Sequence, residues 1–368
     1  MMLGLIFGAG IFALPAAVAL AGIFWGTIHF AVSLILMVVV HLWYAEVAYF
    51  SEDSGRFTGY VRRLIGPISS RISFLLILVT YHGGFLVYGI LGGIFLHTLA
   101  PVFPQFTWSL IFFALAGILT LFRFERISVI NFYLTIPLVL FVLYLSGDSL
   151  RAVDFSNFSA GARAYWFLPY GIFIFSFGGM PAVPETRDIM RGFGISALRS
   201  VILVSLLISA VLYAIFIFSI VGVTGADTTP DALTGLASIL GSKAIMIGAV
   251  IGFLAVFTSY LAMAADMKGI FRIDYGLPIW LSWLLTVLPA ALIYLSGTTQ
   301  FLEIVGFVGA FGLGVSAIFI FMMARVIHRK YPEHVHSWLA TKGVFAWLIL
   351  LLTIVGAVLE LLRLTRII

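Results

Sequence analysis

The chain has 368 residues, of which 62% are hydrophobic and 10% are charged, and its formal net charge is +5. Soluble domains contain about 45–50% apolar and about 25% charged residues, so this composition, with a mean hydropathy of +1.18, excludes an ordinary water-soluble fold. The basic residues lie scattered through short loops and form no stripe for nucleic acid, and the lack of cysteine excludes disulfides and thiolate metal sites.

Eleven apolar stretches follow one another along the chain, and none shows the alternation of a membrane β-barrel. They cover residues 2–23, 26–50, 73–99, 107–122, 127–146, 164–184, 197–222, 243–265, 277–296, 301–324 and 344–362. Backbone groups in hydrocarbon must be satisfied internally, which such stretches achieve as helices. The sequence therefore predicts an all-α membrane protein with one transmembrane domain, residues 1–368, of eleven helices, here called spans 1 to 11.

The loops between these spans differ in charge. With the N-terminus placed inside, fifteen of the 20 Lys and Arg residues fall in cytoplasmic loops and five fall on the external side. Cytoplasmic loops carry the excess of positive charge in membrane proteins. The asymmetry therefore predicts a protein of the cell membrane with a cytoplasmic N-terminus and an external C-terminus.

Spans 1 and 6 contain glycine and proline in their interior. Residues 7–15 read Phe-Gly-Ala-Gly-Ile-Phe-Ala-Leu-Pro, and residues 177–184 read Phe-Gly-Gly-Met-Pro-Ala-Val-Pro. Glycine weakens a helix, and proline removes a backbone donor and clashes one turn back. Each span is therefore predicted to unwind there, although two proline-kinked packing helices are an alternative explanation of the same residues.

The two strings open halves of odd helix number, which therefore have opposite orientation. Residues 1–146 form the first half, residues 164–325 form the second, and the helix at 344–362 lies outside the repeat. Interrupted helices at matching positions of inverted halves point to a binding site near the middle of the membrane.

These strings resemble a known family. Gly-Ala-Gly-Ile-Phe-Ala-Leu-Pro in span 1 is similar to the signature of the amino acid–polyamine–organocation (APC) superfamily. Gly-Gly-Met-Pro-Ala-Val-Pro-Glu in span 6 resembles the amino acid/auxin permeases and the related aromatic amino acid permeases. The resemblance implies a LeuT-type fold of 5+5 inverted spans plus span 11, and an ion-coupled symporter of amino acids that works by alternating access.

The backbone of the two predicted breaks is suited to an amino-acid head group. Free N–H groups at the start of a helix favour a carboxylate, and in span 1 they belong to Gly8, Ala9, Gly10 and Ile11. Carbonyl groups at the end of the first half of span 6 favour an ammonium. These belong to the segment Phe177, Gly178, Gly179 and Met180.

Span 3 is expected to flank the substrate, because the resemblance places it there. Tyr81 and Tyr88 lie on one face by helical spacing, and either hydroxyl is a candidate donor to the substrate carboxylate. The alternative is that both tyrosines fill interior space. Phenylalanines near the break in span 6 weakly favour an aromatic or large neutral substrate.

Span 8 carries hydroxyl groups on a stripe of small residues. Ala255, Thr258 and Ser259 resemble the second sodium site of LeuT-type transporters, which would be completed by span 1 carbonyls of Gly4 and Phe7. Span 5 contains no lysine to replace the ion, which favours sodium as the coupling ion. The alternative is that the hydroxyls only bond between helices.

Three ionisable residues are candidates for a gate or a proton-linked role, because such residues are costly inside a membrane. Glu185 follows the break in span 6, Glu46 lies late in span 2, and His82 lies beside Tyr81. The alternative interpretations are snorkelling or helix capping for the two glutamates and hydrogen-bonded packing for the histidine.

Other functions are less compatible with the sequence. A channel needs a polar ring that repeats by symmetry, and an intramembrane enzyme needs a clustered catalytic or metal site; the histidines are dispersed. A proton-coupled or uncoupled carrier of another small organic solute remains an alternative. We expect a small-molecule substrate and membrane lipid as partners, no required protein or nucleic acid partner, and no cofactor besides a possible sodium ion.

Overall fold

The fold consists of helices in every part that the computed structural model describes, which is residues 2–51, 55–122, 127–158, 161–236 and 241–365. These residues form fifteen α-helices and no β-strand, so the predicted all-α architecture is confirmed. The helices are α1 (Met2–Ile6), α2 (Gly10–Ala21), α3 (Ile23–Phe50), α4 (Phe57–Leu64), α5 (Pro67–Leu99), α6 (Gln105–Leu119), α7 (Ile127–Ser149), α8 (Leu168–Ser176), α9 (Ala182–Ile189), α10 (Ile195–Thr224), α11 (Ser242–Gly269), α12 (Ile279–Leu295), α13 (Phe301–Phe307), α14 (Gly314–Lys330) and α15 (Val344–Leu364).

Six helical stretches of the described chain are long and apolar enough to cross a bilayer. They are Ile23–Phe50, Pro67–Leu99, Ile195–Asp227, Ser242–Asp274, Phe301–Lys330 and Ser337–Leu364. Four shorter apolar helices accompany them, at Gly10–Ala21, Gln105–Leu119, Tyr133–Ser149 and Ile279–Leu295. Large apolar side chains cover the outer surface, such as Val211 with 59% and Leu351 with 56% of its surface exposed. Hydrocarbon tolerates such a surface and water does not.

Two short helices form the centre of the bundle. Ten of the twelve residues of α2 are buried, as are eight of the nine residues of α8, and the two helices pack against each other. A helix that is apolar and buried on all sides belongs in a core. Around this pair lie α3 and α10 on one side and α13 with the turn that follows it on another.

Each central helix is separated from a second short helix by residues that are not helical. Residues 7–9 lie between α1 and α2, and residues 177–181 lie between α8 and α9. Both segments contain the glycines of the strings described above, and Pro181 stands directly before α9. Low helix propensity of glycine and the missing N–H of proline explain why the helices end there.

The described part of the chain contains two π-helical turns, one of which lies beside α8. Residues Ile270–Asp274 end the eighth span, and Val308–Leu313 joins α13 to α14. In the second turn Gly309 lies against the carbonyl group of Gly171 in α8, where a Cβ atom would overlap it. The glycine therefore permits the turn to approach α8, and turns of this kind are frequent at functional sites.

The segment 51–72 differs from its prediction as a loop. It contains α4, and α5 begins at Pro67 rather than at 73. Proline is favoured in the first turn of a helix, where no helical N–H bond is lost. In α4, Tyr60 and Val61 are buried while Arg62 is exposed, so the helix lies on the bundle with its charged face outward. Long apolar stretches do not indicate α4, because only one face of this helix is apolar.

A buried ion pair joins three helices at the end of the bundle where α4 lies. Arg199 of α10 donates to Glu46 of α3 at 2.6 Å and to the carbonyl of His334 at 2.6 Å. His328 of α14 receives the N–H of Thr341 on Nδ1 at 3.3 Å, so its Nε2 carries the proton that is donated to Glu46 at 2.6 Å. Glu46 is 0% exposed.

The expectation that Glu46 snorkels to the membrane surface is therefore wrong. The chain beyond α14 folds back over α3, where the carbonyl of Leu339 accepts the indole N–H of Trp43 at 2.8 Å. This segment closes the site from water, and the two partners of Glu46 replace its hydration. A buried carboxylate needs such pairing.

We predict that Glu46→Ala lowers the free energy of unfolding by about 3–5 kcal/mol, because it leaves the Arg199 guanidinium buried without its carboxylate. Thermal unfolding of the detergent-solubilised protein measures the loss. The control is Glu333→Ala, which removes the exposed partner of His334 and changes the stability by less than about 0.5 kcal/mol. Equal stability of the two variants would show that the buried pair contributes nothing.

Candidate functional site

The two non-helical segments meet each other in the centre of the bundle. A Cβ atom added to Gly10, the first residue of α2, would lie 2.6 Å from Cα of Ser176, the last residue of α8. A Cβ atom at Gly179 would lie 2.6 Å from the side chain of Ile6, the last residue of α1. Glycine at position 10 therefore allows the start of α2 to touch the backbone at the end of α8, and glycine at position 179 leaves room for the side chain of Ile6.

This contact changes the role expected for the glycines. From the sequence, the backbone N–H of Gly10 and the carbonyl segment that contains Gly179 were predicted to bind an amino-acid head group. A Cβ atom at Gly10 would point at Ser176, and a Cβ atom at Gly179 would point at Ile6. The first requirement at both positions is close packing between the helix ends.

Tyr213 of α10 connects the same two helix ends. Its hydroxyl lies 2.5 Å from the carbonyl oxygen of Ile6 and 2.9 Å from that of Ser176, and its one proton can be donated to only one of them at a time. Its ring stacks on Phe7 at 5.7 Å and contacts Phe177 at 5.3 Å. These are the phenylalanines that begin the two matched strings, so one tyrosine binds both interruptions.

His41 of α3 binds the second interruption from the other side. Its Nδ1 donates to the carbonyl of Met37 at 2.7 Å, and its Nε2 accepts the backbone N–H of Gly179 at 2.9 Å. One ring nitrogen of His41 donates and the other accepts, so the imidazole is neutral. Sequence reasoning missed His41 and Tyr213, although a polar residue in an otherwise apolar span was the available signal for both.

A small cavity of about 40 Å³ lies between the two interruptions and α5. Of the predicted substrate residues, those that line it are Ala9, Gly10, Gly178, Tyr81 and Tyr88. The others, Gly8, Ile11, Phe177, Gly179 and Met180, are packed outside it. The cavity has room for a few water molecules, whereas ligand pockets measure about 300–1,000 Å³. The structure is therefore closed around this site.

Tyr81 extends from this cavity to a charged residue that sequence reasoning missed. Its hydroxyl donates to Oδ2 of Asp266 in α11 at 2.5 Å, and Oδ1 of Asp266 lies 3.3 Å from Nε of Arg56. Asp266 is 4% exposed. It was missed because it follows the apolar run at 243–265 by a single residue.

The hydroxyls of α11 lie where the sequence expected an ion site. A Cβ atom at Gly8 would lie 2.8 Å from Oγ of Ser259, which is buried and has no hydrogen-bond partner among the described residues. Thr258, one residue earlier, donates to the carbonyls of Leu254 at 2.9 Å or Ala255 at 3.2 Å. Seven other buried hydroxyls of the described chain also lack a partner, so it is the position beside Gly8 that distinguishes Ser259.

The end of α1 supplies carbonyl groups near this hydroxyl. The helical hydrogen bonds of α1 end with the N–H of Phe7, which donates to Leu3 at 2.7 Å. Among the described residues, the carbonyls of Gly4 and Leu5 have no partner further along the helix. The carbonyl of Leu5 lies 3.2 Å from the Cβ position of Gly8. Oxygen atoms of both kinds are ligands that hard cations prefer.

The remaining candidates lie apart from the cavity. His82 is buried on another face of α5, with its ring centroid 5.9 Å from that of Phe85 and no partner for Nδ1 in the described structure. Glu185 lies in the first turn of α9, partly buried. Glu46 belongs to the ion pair described above and is held by Arg199 and His328.

Two solved transporters have the same fold as this chain. Mhp1, a nucleobase-cation-symport-1 family transporter in a closed conformation with bromovinylhydantoin bound, has a TM-score of 0.67 and 13% sequence identity over 99% of this chain and 90% of its own. MhsT in complex with L-phenylalanine has a TM-score of 0.64 and 12% identity over 99% of this chain and 96% of its own. No curated protein sequence matches the chain significantly.

The sequence itself matches one protein family. Residues 1–360 match the model of the tryptophan/tyrosine permease family, which is part of the APC superfamily. With the two structures, this match confirms the expected superfamily and the LeuT-type fold. It also identifies an integral membrane protein and a transporter rather than an enzyme. The chain belongs to the tryptophan/tyrosine permease family.

Proposed function

We propose that this protein is an ion-coupled symporter that carries amino acids with aromatic or large neutral side chains across the cell membrane by alternating access. The observation that carries the proposal is the direct contact between two interrupted helices at Gly10 and Ser176, beside a closed cavity. The family to which the chain belongs supports a transporter of this substrate class.

The arrangement in the membrane follows from treating each interrupted helix as one span. In this proposal α1 with α2 is span 1, α8 with α9 is span 6, and α13 with α14 is span 10, which gives eleven spans. Residues 1–146 and 164–325 are the inverted halves, and the helix within 344–362 lies outside them. The basic loops, including that of α4, face the cytoplasm, and the C-terminus is external.

The substrate carboxylate is proposed to bind at the N-terminal end of α2, where the N–H groups of Gly10 and Ile11 and the helix dipole favour an anion. The substrate ammonium is proposed to bind carbonyls at the second interruption. Those of Phe177 and Gly178 are the better candidates, because the carbonyls of Gly179 and Met180 accept the N–H groups of Ala182 and Val183 at 3.0 and 3.1 Å.

The side chain of the substrate is proposed to extend toward α5. Tyr81, Tyr88 and Phe175 line that side of the cavity and offer aromatic surface. Met263 also lines it, and its Cε lies 2.8 Å from the Cβ position of Gly84. A methionine is flexible, so its movement away from Gly84 provides a route by which the closed cavity of about 40 Å³ widens.

The coupling ion is proposed to be sodium, held between α1 and α11. The unpartnered hydroxyl of Ser259 supports this, together with the hydroxyl of Thr258 and the carbonyls of Ala255, Gly4 and Phe7. Sodium would join the two helices beside Gly8. No part of the proposal requires another cofactor.

We predict that Gly10→Ala removes binding of labelled L-tryptophan and L-tyrosine to the purified protein and lowers its stability by about 1–3 kcal/mol, because the methyl group forces α2 away from Ser176. Binding is measured by scintillation proximity and stability by thermal unfolding. Gly147→Ala is the matched control, since a Cβ atom at Gly147 has no neighbour within 4 Å among the described atoms. Normal binding by Gly10→Ala would contradict the proposed site.

We also predict that sodium raises the affinity for L-tryptophan and that L-tryptophan raises the affinity for sodium by the same factor, as linkage requires. Ser259→Ala with Thr258→Val removes this dependence, because both hydroxyl ligands are lost. Ser219→Ala, whose hydroxyl bonds only within α10, keeps it. Binding that ignores sodium in the unaltered protein and follows pH instead would reject the sodium site and favour proton coupling.

A further inference from the structure

At the end of the bundle where α14 stops and α15 starts, a positive charge lies beside an exposed aromatic ring. The guanidinium carbon of Arg325 in α14 lies 5.3 Å from the centroid of the Trp347 ring in α15. The same ring contacts Phe321 of α14, with the two centroids 5.2 Å apart, and 47% of the Trp347 surface is exposed. The indole therefore joins the two helices and remains accessible from outside the bundle. The surface formed by Arg325 and Trp347 between these helices is here called the α14–α15 groove.

The charge of Arg325 has no anion in the described part of the protein. Its guanidinium forms no ion pair or hydrogen bond with any described residue, and its buried Nε has no acceptor. Glu333, the carboxylate that follows α14, is exposed and lies beside His334 at 3.5 Å. A partly buried guanidinium is stabilised by an anion at its accessible side. The position therefore favours an anionic ligand.

Two further positive charges lie at the same end of the groove. Arg329 is exposed and lies one turn along α14 from Arg325, so both side chains project from the same face. Lys342 is exposed and lies two residues before the start of α15. The N-terminal end of α15, where the first N–H groups of the helix carry partial positive charge, is at this end too. Negative charge is therefore favoured at this end of the groove.

Apolar side chains border the groove on its membrane side. Met322, one turn before Arg325 in α14, is exposed. Leu351 and Ile354 follow Trp347 at helical spacing in α15 and are exposed as well. A small soluble anion would leave this apolar surface uncovered, whereas an acyl chain would cover it. The charge and the apolar surface beside it therefore fit an amphiphile with an anionic head.

The depth of the groove matches that of lipid headgroups. α15 has 21 residues and is therefore about 32 Å long, close to the thickness of the hydrocarbon core of about 30 Å. Its first turn, which contains Trp347, then lies at the boundary of the hydrocarbon. Arg325 precedes Lys330, the last residue of α14, by five residues, or about 7.5 Å. Tryptophan is enriched at this level of a membrane, and Trp338, in the segment between the two helices, is also exposed.

We propose that the α14–α15 groove binds an anionic phospholipid, with the headgroup phosphate at Arg325 and Arg329 and an acyl chain along Trp347 and Leu351. A planar guanidinium donates two parallel hydrogen bonds to a phosphate, which an ammonium group does not. The choline of a zwitterionic lipid would meet like charges, so an anionic lipid is preferred. The inference requires that the protein is embedded in lipid, but it requires no particular substrate or coupling ion.

Quenching of tryptophan fluorescence by brominated acyl chains measures occupancy of the groove directly. The purified protein is reconstituted in phosphatidylcholine that contains a fixed fraction of either brominated phosphatidylglycerol or brominated phosphatidylcholine. The chain has eight tryptophans, and the signal of Trp347 is obtained as the difference between the protein and its Trp347→Phe variant. Phenylalanine keeps an aromatic ring beside Arg325, so this variant removes the reporter and retains the packing.

We expect brominated phosphatidylglycerol to quench Trp347 more strongly than brominated phosphatidylcholine at the same mole fraction, because the groove prefers the anionic headgroup. Arg325→Gln lowers this preference about fivefold, which is the effect of one basic residue at a membrane surface. The substitution removes no hydrogen bond or ion pair to a described residue, so we expect the fold to be retained. Arg325→Lys keeps most of the preference. Arg62→Gln, at an exposed position of α4, is the matched control and keeps all of it.

Several results would overturn the lipid site. Equal quenching by the two brominated lipids, or an unchanged preference in both Arg325→Gln and Arg329→Gln, would show that the groove does not select a headgroup. Absence of quenching by either lipid would show that the groove is covered, as by a second copy of this chain. Loss of the preference on addition of soluble glycerol 3-phosphate would assign the arginines to a soluble phosphate instead. None of these outcomes depends on transport of an amino acid.

Discussion

The structure depends on satisfying backbone groups where two helices stop in the interior of the bundle. An unpaired N–H or carbonyl in hydrocarbon costs several kcal/mol, and α1 and α8 end at the buried residues Ile6 and Ser176. Tyr213 places one hydroxyl at the carbonyls of Ile6 and Ser176, and His41 accepts the N–H of Gly179. Glycine at position 10 lets α2 approach Ser176, and glycine at position 179 leaves room for the side chain of Ile6 beside His41.

The same constraint is the reason for proposing a binding site there. Tyr213 donates its one proton to one of two carbonyls at a time, and a carbonyl oxygen can accept a second hydrogen bond. In the proposal, the ammonium of an amino acid uses the carbonyl capacity that Tyr213 leaves free. In this proposal, the structure with its closed cavity of about 40 Å³ and with Tyr213 at both interruptions is one state of the exchange between side chain and substrate. In the proposed mechanism the substrate competes for backbone groups that the protein otherwise satisfies with its own side chains.

One helix, α11, carries two polar groups that face this centre. The hydroxyl of Ser259 lies beside Gly8 at the first interruption, and Asp266 lies further along the same helix, where it accepts the hydroxyl of Tyr81. Tyr81 also lines the cavity. A displacement of α11 would therefore change both the proposed ion site and the wall of the cavity.

Part of this arrangement could be predicted from the sequence, because glycine and proline inside an apolar span indicate an interruption or a kink of the helix. The glycines of the strings at 7–15 and 177–184 lie in or next to the non-helical segments 7–9 and 177–181. In span 8, the hydroxyl of Ser259 lies beside Gly8 of the first string. The partners that stabilise these segments were not predictable. Tyr213 and His41 are far from the strings in sequence and have no distinguishing neighbours, so only tertiary packing brings them there.

Charged residues at the ends of spans were misjudged for a related reason. Glu46 lies four residues before the end of the apolar stretch 26–50, and Asp266 directly follows the stretch 243–265, so the sequence places both near a boundary. The segment after α14 and the helix α4 cover that end of the bundle, however, and convert both positions into buried sites. Whether a charge near a boundary is solvated depends on what folds over it, which periodicity within one span does not reveal.

The central claim is that the two interrupted helices form the site of an ion-driven amino acid carrier. It is tested most directly by uptake of labelled L-tryptophan into proteoliposomes, with sodium and proton gradients imposed separately. The account predicts accumulation above the external concentration when the sodium gradient is inward, and its collapse when that gradient is dissipated. Absence of uptake of any aromatic or large neutral amino acid under every gradient, by a protein shown to be folded and inserted, would contradict it.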